Sequence, residues 1–182
     1  MTLSLSLIAL VLGVAVLVSH AFALARPAAT MAWLRGFPRN VPVGVALMLI
    51  GTVWFEWNLA NENLDDIAKF KLAMQAAFAF LGVASCFFVK DFLAVRGLCV
   101  VMLMAAWLVC DTARWHPSIW RDALAAWAYV WALAGLWWTV QPWRARDAIN
   151  WVVATPGRFK MAAGAGVVWG IFVIALSQTV LR

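Results

Sequence analysis

Charged side chains are scarce in this sequence. Asp, Glu, Lys and Arg make up 12% of its residues, whereas hydrophobic residues make up 66%. A soluble domain typically has about a quarter of its residues charged and about half apolar. A chain with so few polar side chains could not cover its surface in water. The composition therefore excludes a soluble globular protein and indicates an integral membrane protein.

Residues that commonly carry chemistry are also few. The cysteines, Cys86, Cys99 and Cys110, show no Cys-x-x-Cys spacing, so we interpret them as small buried hydrophobic residues rather than metal or redox ligands. The two histidines, His20 and His116, are expected at opposite faces, which disfavours bis-histidine ligation of haem within one chain. Motifs of hydrolases, phosphate-binding loops and metal-binding helices are absent. We therefore predict no catalytic residue and no metal ligand, and the sequence identifies no cofactor.

Six long apolar stretches are present instead. A helix needs about 20 apolar residues to cross a bilayer, because each residue advances it by about 1.5 Å. The expected spans cover residues 3–25, 41–60, 72–89, 92–110, 123–140 and 161–181. Prolines fall in connections or at helix starts and interrupt none of them, and runs of this length exclude a β-barrel. We predict an all-α, polytopic membrane protein: one domain over residues 1–182, built as a bundle of about six transmembrane helices, with five spans as the alternative.

The basic residues predict the orientation. They lie at the ends of apolar runs rather than in a cluster with exposed aromatic residues, so nucleic acid is not an expected partner despite a net charge of +6. Nine fall in the first, third and fifth connections and five on the other side. Since cytoplasmic loops are enriched in Lys and Arg, we expect both termini outside a bacterial inner membrane. Residues 141–160 then form an amphipathic segment that meets anionic lipids at the cytoplasmic face.

The most polar stretch, residues 61–71, has two interpretations. Its acidic residues, including Asp65 and Asp66, could ligate a divalent cation through oxygen atoms. The pattern fits a helix start better, with Asn61 or Asn63 as the N-cap and the two aspartates in the first turn, where the helix dipole favours negative charge. We therefore predict an interfacial first turn of the third span rather than a metal site.

Few polar side chains fall within the spans, where ionisable groups are costly. We expect Glu56, Gln75 and Asp111 to share one layer on the outer side, with Arg114 available to neutralise a carboxylate. His20 is expected near the inner end of the first span. Snorkelling to the interface or a hydrogen bond between helices would also explain each of them.

Small residues recur at a spacing of four on the two terminal spans. Ala162, Gly166 and Gly170 form one such face on the last span, and Ala9 with Gly13 forms another on the first. Faces of this kind let helix backbones approach closely within a membrane. We predict that both are helix-packing surfaces.

Tryptophan is unusually abundant, with 13 residues against a single tyrosine. From Trp120, the residues Trp127, Trp131 and Trp138 lie 7, 11 and 18 positions further on, which places all four within about 20° of one line along a helix. Such a stripe fills a bundle core or faces acyl chains, or it forms a docking face for a partner helix or a flat lipophilic ligand.

Three functions are compatible with these features. The first is a non-catalytic membrane subunit or scaffold that docks another membrane protein or a lipophilic cofactor, and it fits the absence of catalytic motifs best. The second is a small transporter or channel that uses the layer with Glu56 and Asp111. The third is a lipid-modifying membrane enzyme with Glu56, Asp111 or His116 as acid or base, for which no recognisable motif is present.

Overall fold

The computed structural model describes residues 4–181, apart from the side chains of Asp65 and Asp66. All regular secondary structure in these residues is helical. The α-helices are α1 (Leu5–Ala25), α2 (Pro27–Gly36), α3 (Val41–Asn61), α4 (Lys71–Phe88), α5 (Leu93–Arg114), α6 (Arg121–Val140), α7 (Pro142–Val152) and α8 (Pro156–Thr179). Two short 3-10 helices, Phe37–Arg39 and Asp65–Phe70, precede α3 and α4.

Six of these helices are long and apolar enough to cross a membrane: α1, α3, α4 with the end of the preceding 3-10 helix, α5, α6 and α8. The prediction of an all-helical chain with six such helices is confirmed. The last of them begins at Pro156, five residues before the expected apolar run. Thr155 explains the difference, because its hydroxyl accepts from the backbone N–H of Arg158 at 3.3 Å and caps the helix, while Pro156 suits the first turn.

The connections hold more structure than the apolar runs suggested. Residues 27–36 form α2, which was not predicted, and the amphipathic segment contains α7. The expected asparagine cap was wrong, since Leu64 precedes the 3-10 helix, Phe70 precedes α4, and neither makes a capping side-chain hydrogen bond. Asn61 instead ends α3, where its amide donates to the Trp57 carbonyl at 2.7 Å. The prediction that Asp65 and Asp66 interact favourably with the helix dipole concerns side chains that lie outside the described residues.

The chain divides into two compact units, and the first contains α1, α2, α8, most of α7 and residues 105–132. The main helix–helix contact within this unit is between α1 and α8. A methyl group added at Gly170 would lie 2.8 Å from the backbone nitrogen of Leu17, and one at Gly13 would lie 3.1 Å from that of Ile174. Ala9 is fully buried. The predicted packing faces around Gly13 and Gly170 therefore lie where α1 and α8 meet, since glycine lets the backbones approach closely, whereas Ala162 of the same predicted face is exposed.

The second unit contains residues 36–104 and 133–145. Glycines again allow a close crossing, here of α3 with the first half of α5. A methyl group at Gly44 would lie 2.6 Å from the backbone nitrogen of Ala94, and one at Gly97 would lie 2.7 Å from that of Met48. Cys99 is buried in this unit, consistent with its interpretation as a small hydrophobic residue.

Candidate functional site

An open apolar cavity of about 820 Å³ lies in the first unit, where the second half of α1, α2 and the first half of α8 meet. Its walls are mainly aliphatic and aromatic, with Val18 and Phe22 from α1, Trp33 from α2 and Phe159 from α8. Small-molecule sites in proteins typically measure roughly 300–1,000 Å³ and have mostly apolar walls. The cavity therefore has the size and lining of a site for a lipophilic ligand.

Local sequence signals place these walls. α1 ends at Ala25, and Pro27 opens α2 at once, because proline is favoured in the first turn of a helix. The guanidinium of Arg35 at the end of α2 donates to the carbonyl of Val153 at 2.9 Å, which ties α2 to the segment before α8. Val153 and Phe159 belong to a small buried cluster that supports this end of the unit. The cavity is thus held by both a hydrogen bond and apolar packing.

His20 is the polar side chain of the cavity with an uncommitted ring nitrogen. Its Nδ1 lies 2.8 Å from the carbonyl oxygen of Val16, and since a carbonyl only accepts, Nδ1 carries the hydrogen. The other ring nitrogen, Nε2, has no hydrogen-bond partner among the residues that the structure describes. The ring lies against Gly166 of α8, where any larger side chain would overlap it. His20 therefore places an imidazole with one nitrogen free of hydrogen bonds at an otherwise apolar site.

The two hydroxyl groups at the cavity are already bonded to the backbone. Ser19 donates to the carbonyl of Val16 at 3.0 Å, and Thr30 donates to that of Arg26 at 3.0 Å. Ser19 also lies 3.3 Å from Nδ1 of His20. Because Nδ1 is the protonated nitrogen, it cannot accept the proton of Ser19, so this pair lacks the geometry of a nucleophile with its general base.

Cations lie beside the cavity without ionic partners. The guanidinium of Arg26 stands 6.0 Å from the ring centre of Phe22, which lines the cavity. Arg158, next to the cavity residue Phe159, stands over Trp151 at 5.0 Å. Neither guanidinium forms an ion pair with a carboxylate within the described part of the chain. The cavity therefore lies beside positive charge that is available to an anionic group.

The chain matches no protein-family model, no curated protein and no solved structure. The chemistry of the site accordingly has to be argued from its own residues.

The other predicted polar residues are not joined by hydrogen bonds or ion pairs in the part that the structure describes. Glu56 is half-buried, and its Oε1 is fully buried without a hydrogen-bond partner. Gln75 is half-buried on α4, also in the second unit. Asp111 and Arg114 are exposed on α5 in the first unit. The shared polar layer stays a prediction, and within the described residues no cluster of three His, Cys, Asp or Glu could hold a metal ion.

Two tryptophans of the predicted stripe lie within a cluster of aromatic rings. The ring centres of Trp127 and Trp131 are 4.1 Å apart, and Trp127 lies 5.6 Å from Trp169 of α8. Both stripe residues are half-buried and pack against the apolar core of the first unit. They are thus engaged in the packing of their own chain, which the core interpretation anticipated.

The two ends of the stripe differ from its middle. Trp120 precedes the first residue of α6, is 46% exposed, and lies edge-on to Phe172 at 6.2 Å. Trp138 is half-buried and belongs to the second unit. A docking role for the stripe stays a prediction.

Sequence reasoning singled out His20 but missed the cavity around it. The aromatic wall residues Phe22, Trp33 and Phe159 come from three separate segments, and no spacing links them. One signal was present: Val18 and Phe22, four residues apart, lie on one face of α1 that continues towards Arg26.

Proposed function

We propose that this chain is a non-catalytic integral membrane subunit or scaffold that holds a lipophilic ligand in the cavity between α1, α2 and α8. The observation that carries the proposal is the cavity itself, about 820 Å³ in volume and lined by apolar side chains around one oriented imidazole. Its described lining residues include neither Asp nor Glu. An apolar lining of this kind is suited to retaining an apolar molecule.

A membrane location is part of the proposal. Six helices have the length and apolarity that a span requires. Large apolar side chains are strongly exposed, among them Leu72 at 79% and Phe88 at 84%, and water would disfavour such a surface. In a bacterial inner membrane with both termini outside, the cavity opens in the cytoplasmic leaflet, where anionic lipids attract the basic residues of that side.

A cavity-filling variant tests the proposal. Ala162 lines the cavity and is exposed, so Ala162→Phe is expected to displace the ligand without disturbing buried packing. Ala165 is exposed on the same helix but does not line the cavity, so Ala165→Phe is the matched control. We expect lipophilic molecules that co-purify in mild detergent, quantified by mass spectrometry, to be depleted in the first variant only. Equal amounts in both variants and the original protein would refute the proposal.

One observation favours a second function. The buried Oε1 of Glu56 has no hydrogen-bond partner in the described residues, and unpaired carboxylates within membrane spans mark ion or proton paths in transporters. This supports the small transporter or channel as the alternative. Its test is cation or proton flux in liposomes with the original protein and with Glu56→Gln.

A further inference from the structure

We infer that the turn between α5 and α6, residues 115–120, is a pH-sensitive anchor at the membrane surface that is released when His116 gains a proton. The turn contributes none of the described residues that line the cavity, so this role goes beyond ligand binding. Three features carry the inference: a histidine ring that accepts a backbone hydrogen bond, a guanidinium at the carbonyl of the same residue, and two exposed apolar side chains.

The ring of His116 holds the backbone of the turn. The backbone N–H of Ser118 donates to Nδ1 of His116 at 3.2 Å. Because an N–H is the donor, Nδ1 has to carry a lone pair, whereas both nitrogens of an imidazolium carry hydrogens. The residue between them, Pro117, has a fixed φ and no N–H of its own. The hydrogen bond therefore exists only while Nδ1 of His116 is unprotonated.

Ser118 connects this hydrogen bond to the start of α6. Its hydroxyl accepts from the backbone N–H of Trp120 at 3.3 Å, and its carbonyl accepts from that of Arg121 at 3.2 Å. These contacts satisfy backbone donors that have no partner within the helix at its beginning. Protonation of His116 removes the acceptor of the Ser118 N–H and so loosens the turn where α6 begins.

A proton on His116 also adds charge beside an existing cation. The guanidinium of Arg121 donates through Nη1 to the carbonyl of His116 at 2.8 Å and to that of Arg114 at 2.9 Å. Of the carboxylates on these two helices near the turn, that of Asp122 pairs with Arg121 at 3.5 Å, and Asp111 is exposed. Since like charges repel, an imidazolium weakens the contact by which Arg121 joins the two helix ends.

The two helices that pack together in the first unit add no charge near the turn. Over Leu5–Ala25, α1 has no charged side chain. The ring of Phe172 on α8 lies 6.2 Å from that of Trp120, but the charged side chains of α8, Arg158 and Lys160, lie near its other end. Among these helices, the charges that face His116 are therefore those of α5 and α6.

The apolar side chains of the turn give it an anchoring role. Trp115 is 84% exposed and Ile119 is 78% exposed. A turn between two membrane spans lies at the bilayer surface, where tryptophan is favoured. A charged ring at His116, next to Trp115, opposes insertion of these side chains. Histidine changes its charge between about pH 5 and 8, so the anchor holds at the upper end of this range and is released at the lower end.

Hydrogen exchange of the Ser118 amide tests the role of His116. The protein carries 15N-serine in detergent micelles, and the exchange rate measured by NMR is divided by the intrinsic rate at each pH. We expect the protection of this amide to be about two- to tenfold lower at pH 5 than at pH 8, which corresponds to the loss of one hydrogen bond.

Three variants serve as controls. His116→Asn is expected to remove the pH dependence, since an asparagine oxygen can accept from the N–H two residues later and does not titrate. His116→Ala has no acceptor and is expected to show low protection at both pH values. His20→Gln is expected to behave like the original protein. Equal protection of the original protein at both pH values would overturn the inference, and so would an undiminished pH dependence in His116→Ala.

Quenching of a fluorophore at residue 119 tests release of the anchor. Ile119→Cys is labelled in a variant without the native cysteines and reconstituted in phosphatidylcholine vesicles that contain a lipid with a spin label below the headgroup. We expect quenching to be weaker at pH 5 than at pH 8, and equal at both pH values when His116→Asn is added. Equal quenching with His116 in place would show that the turn is not released, whatever the response of Ser118.

Discussion

The imidazole of His20 on α1 lies directly against Gly166 on α8, where a methyl group would overlap its Cγ, Cδ2 and Nε2 atoms. The same ring lines the cavity and donates through Nδ1 to the Val16 carbonyl. The contact between His20 and Gly166 therefore packs α1 against α8 and also positions the imidazole at the cavity. The position of the ring depends on the absence of a side chain at residue 166.

We expect Gly166→Ala to move the imidazole, lower ligand retention and destabilise the fold by about 1–3 kcal/mol, a typical cost of overpacking. Gly164→Ala is the control, because a methyl group there meets nothing within 4 Å. Thermal unfolding in detergent and mass spectrometry of co-purified lipophiles provide the two readouts. Identical behaviour of the two variants would show that the ring is not held in this position.

Gly170→Ala separates stability from binding. Its added methyl group would press on the backbone of Leu17, but Gly170 does not line the cavity. We expect lower thermal stability with normal ligand content in the protein that remains folded. If this variant lost its ligand, the amount of ligand bound would reflect the packing of the helices in general rather than the shape of the cavity.

The close-packing faces of α1 and α8 could be predicted because small residues at a spacing of four are a local signal of close packing, but that signal does not identify the helix that each face meets. The six long helices could be predicted because length and apolarity decide them. The cavity could not, since it depends on α2, whose residues 27–36 are too few and too mixed to stand out from a connection. The place of His20 at a cavity was hidden because other residues that line it, such as Trp33 and Phe159, are distant in sequence.

Replacing both Trp127 and Trp131 by alanine is expected to lower stability. Their rings contact each other, and Trp127 also contacts Trp169, so truncation leaves a gap in the core. A loss of about 2–4 kcal/mol follows from the cost of large-to-small substitutions for half-buried rings. The matched control replaces both with phenylalanine, which keeps aromatic packing. A normally folded alanine variant that loses only a co-purifying protein would instead support the docking face.

Glu56→Met is expected to leave thermal stability unchanged or to raise it. The buried Oε1 makes no hydrogen bond with the described residues, so replacing the carboxylate with an apolar side chain of similar shape removes a desolvation cost. Thermal unfolding in detergent is the measurement, with the exposed Glu62→Gln as control. A marked loss of stability would reveal a partner for this carboxylate and weaken the transporter alternative.

Single cysteines test the orientation. In a variant without Cys86, Cys99 and Cys110, we place one cysteine at Asn63 or at Ala148, both of which are exposed. We expect a membrane-impermeant maleimide to label position 63 in intact cells and position 148 only after the membrane is opened, because basic connections stay in the cytoplasm. The opposite labelling pattern would reverse the predicted topology.

Photo-crosslinking of a bound lipid tests the central claim most directly. The protein is reconstituted with trace lipid carrying a diazirine in its acyl chain, irradiated, and digested for peptide mapping. The account predicts adducts on the cavity walls near Phe22, Trp33 and Phe159, with their yield reduced by Ala162→Phe and unchanged by Ala165→Phe. Adducts spread over exposed helix faces, with no effect of Ala162→Phe on their yield, would contradict it.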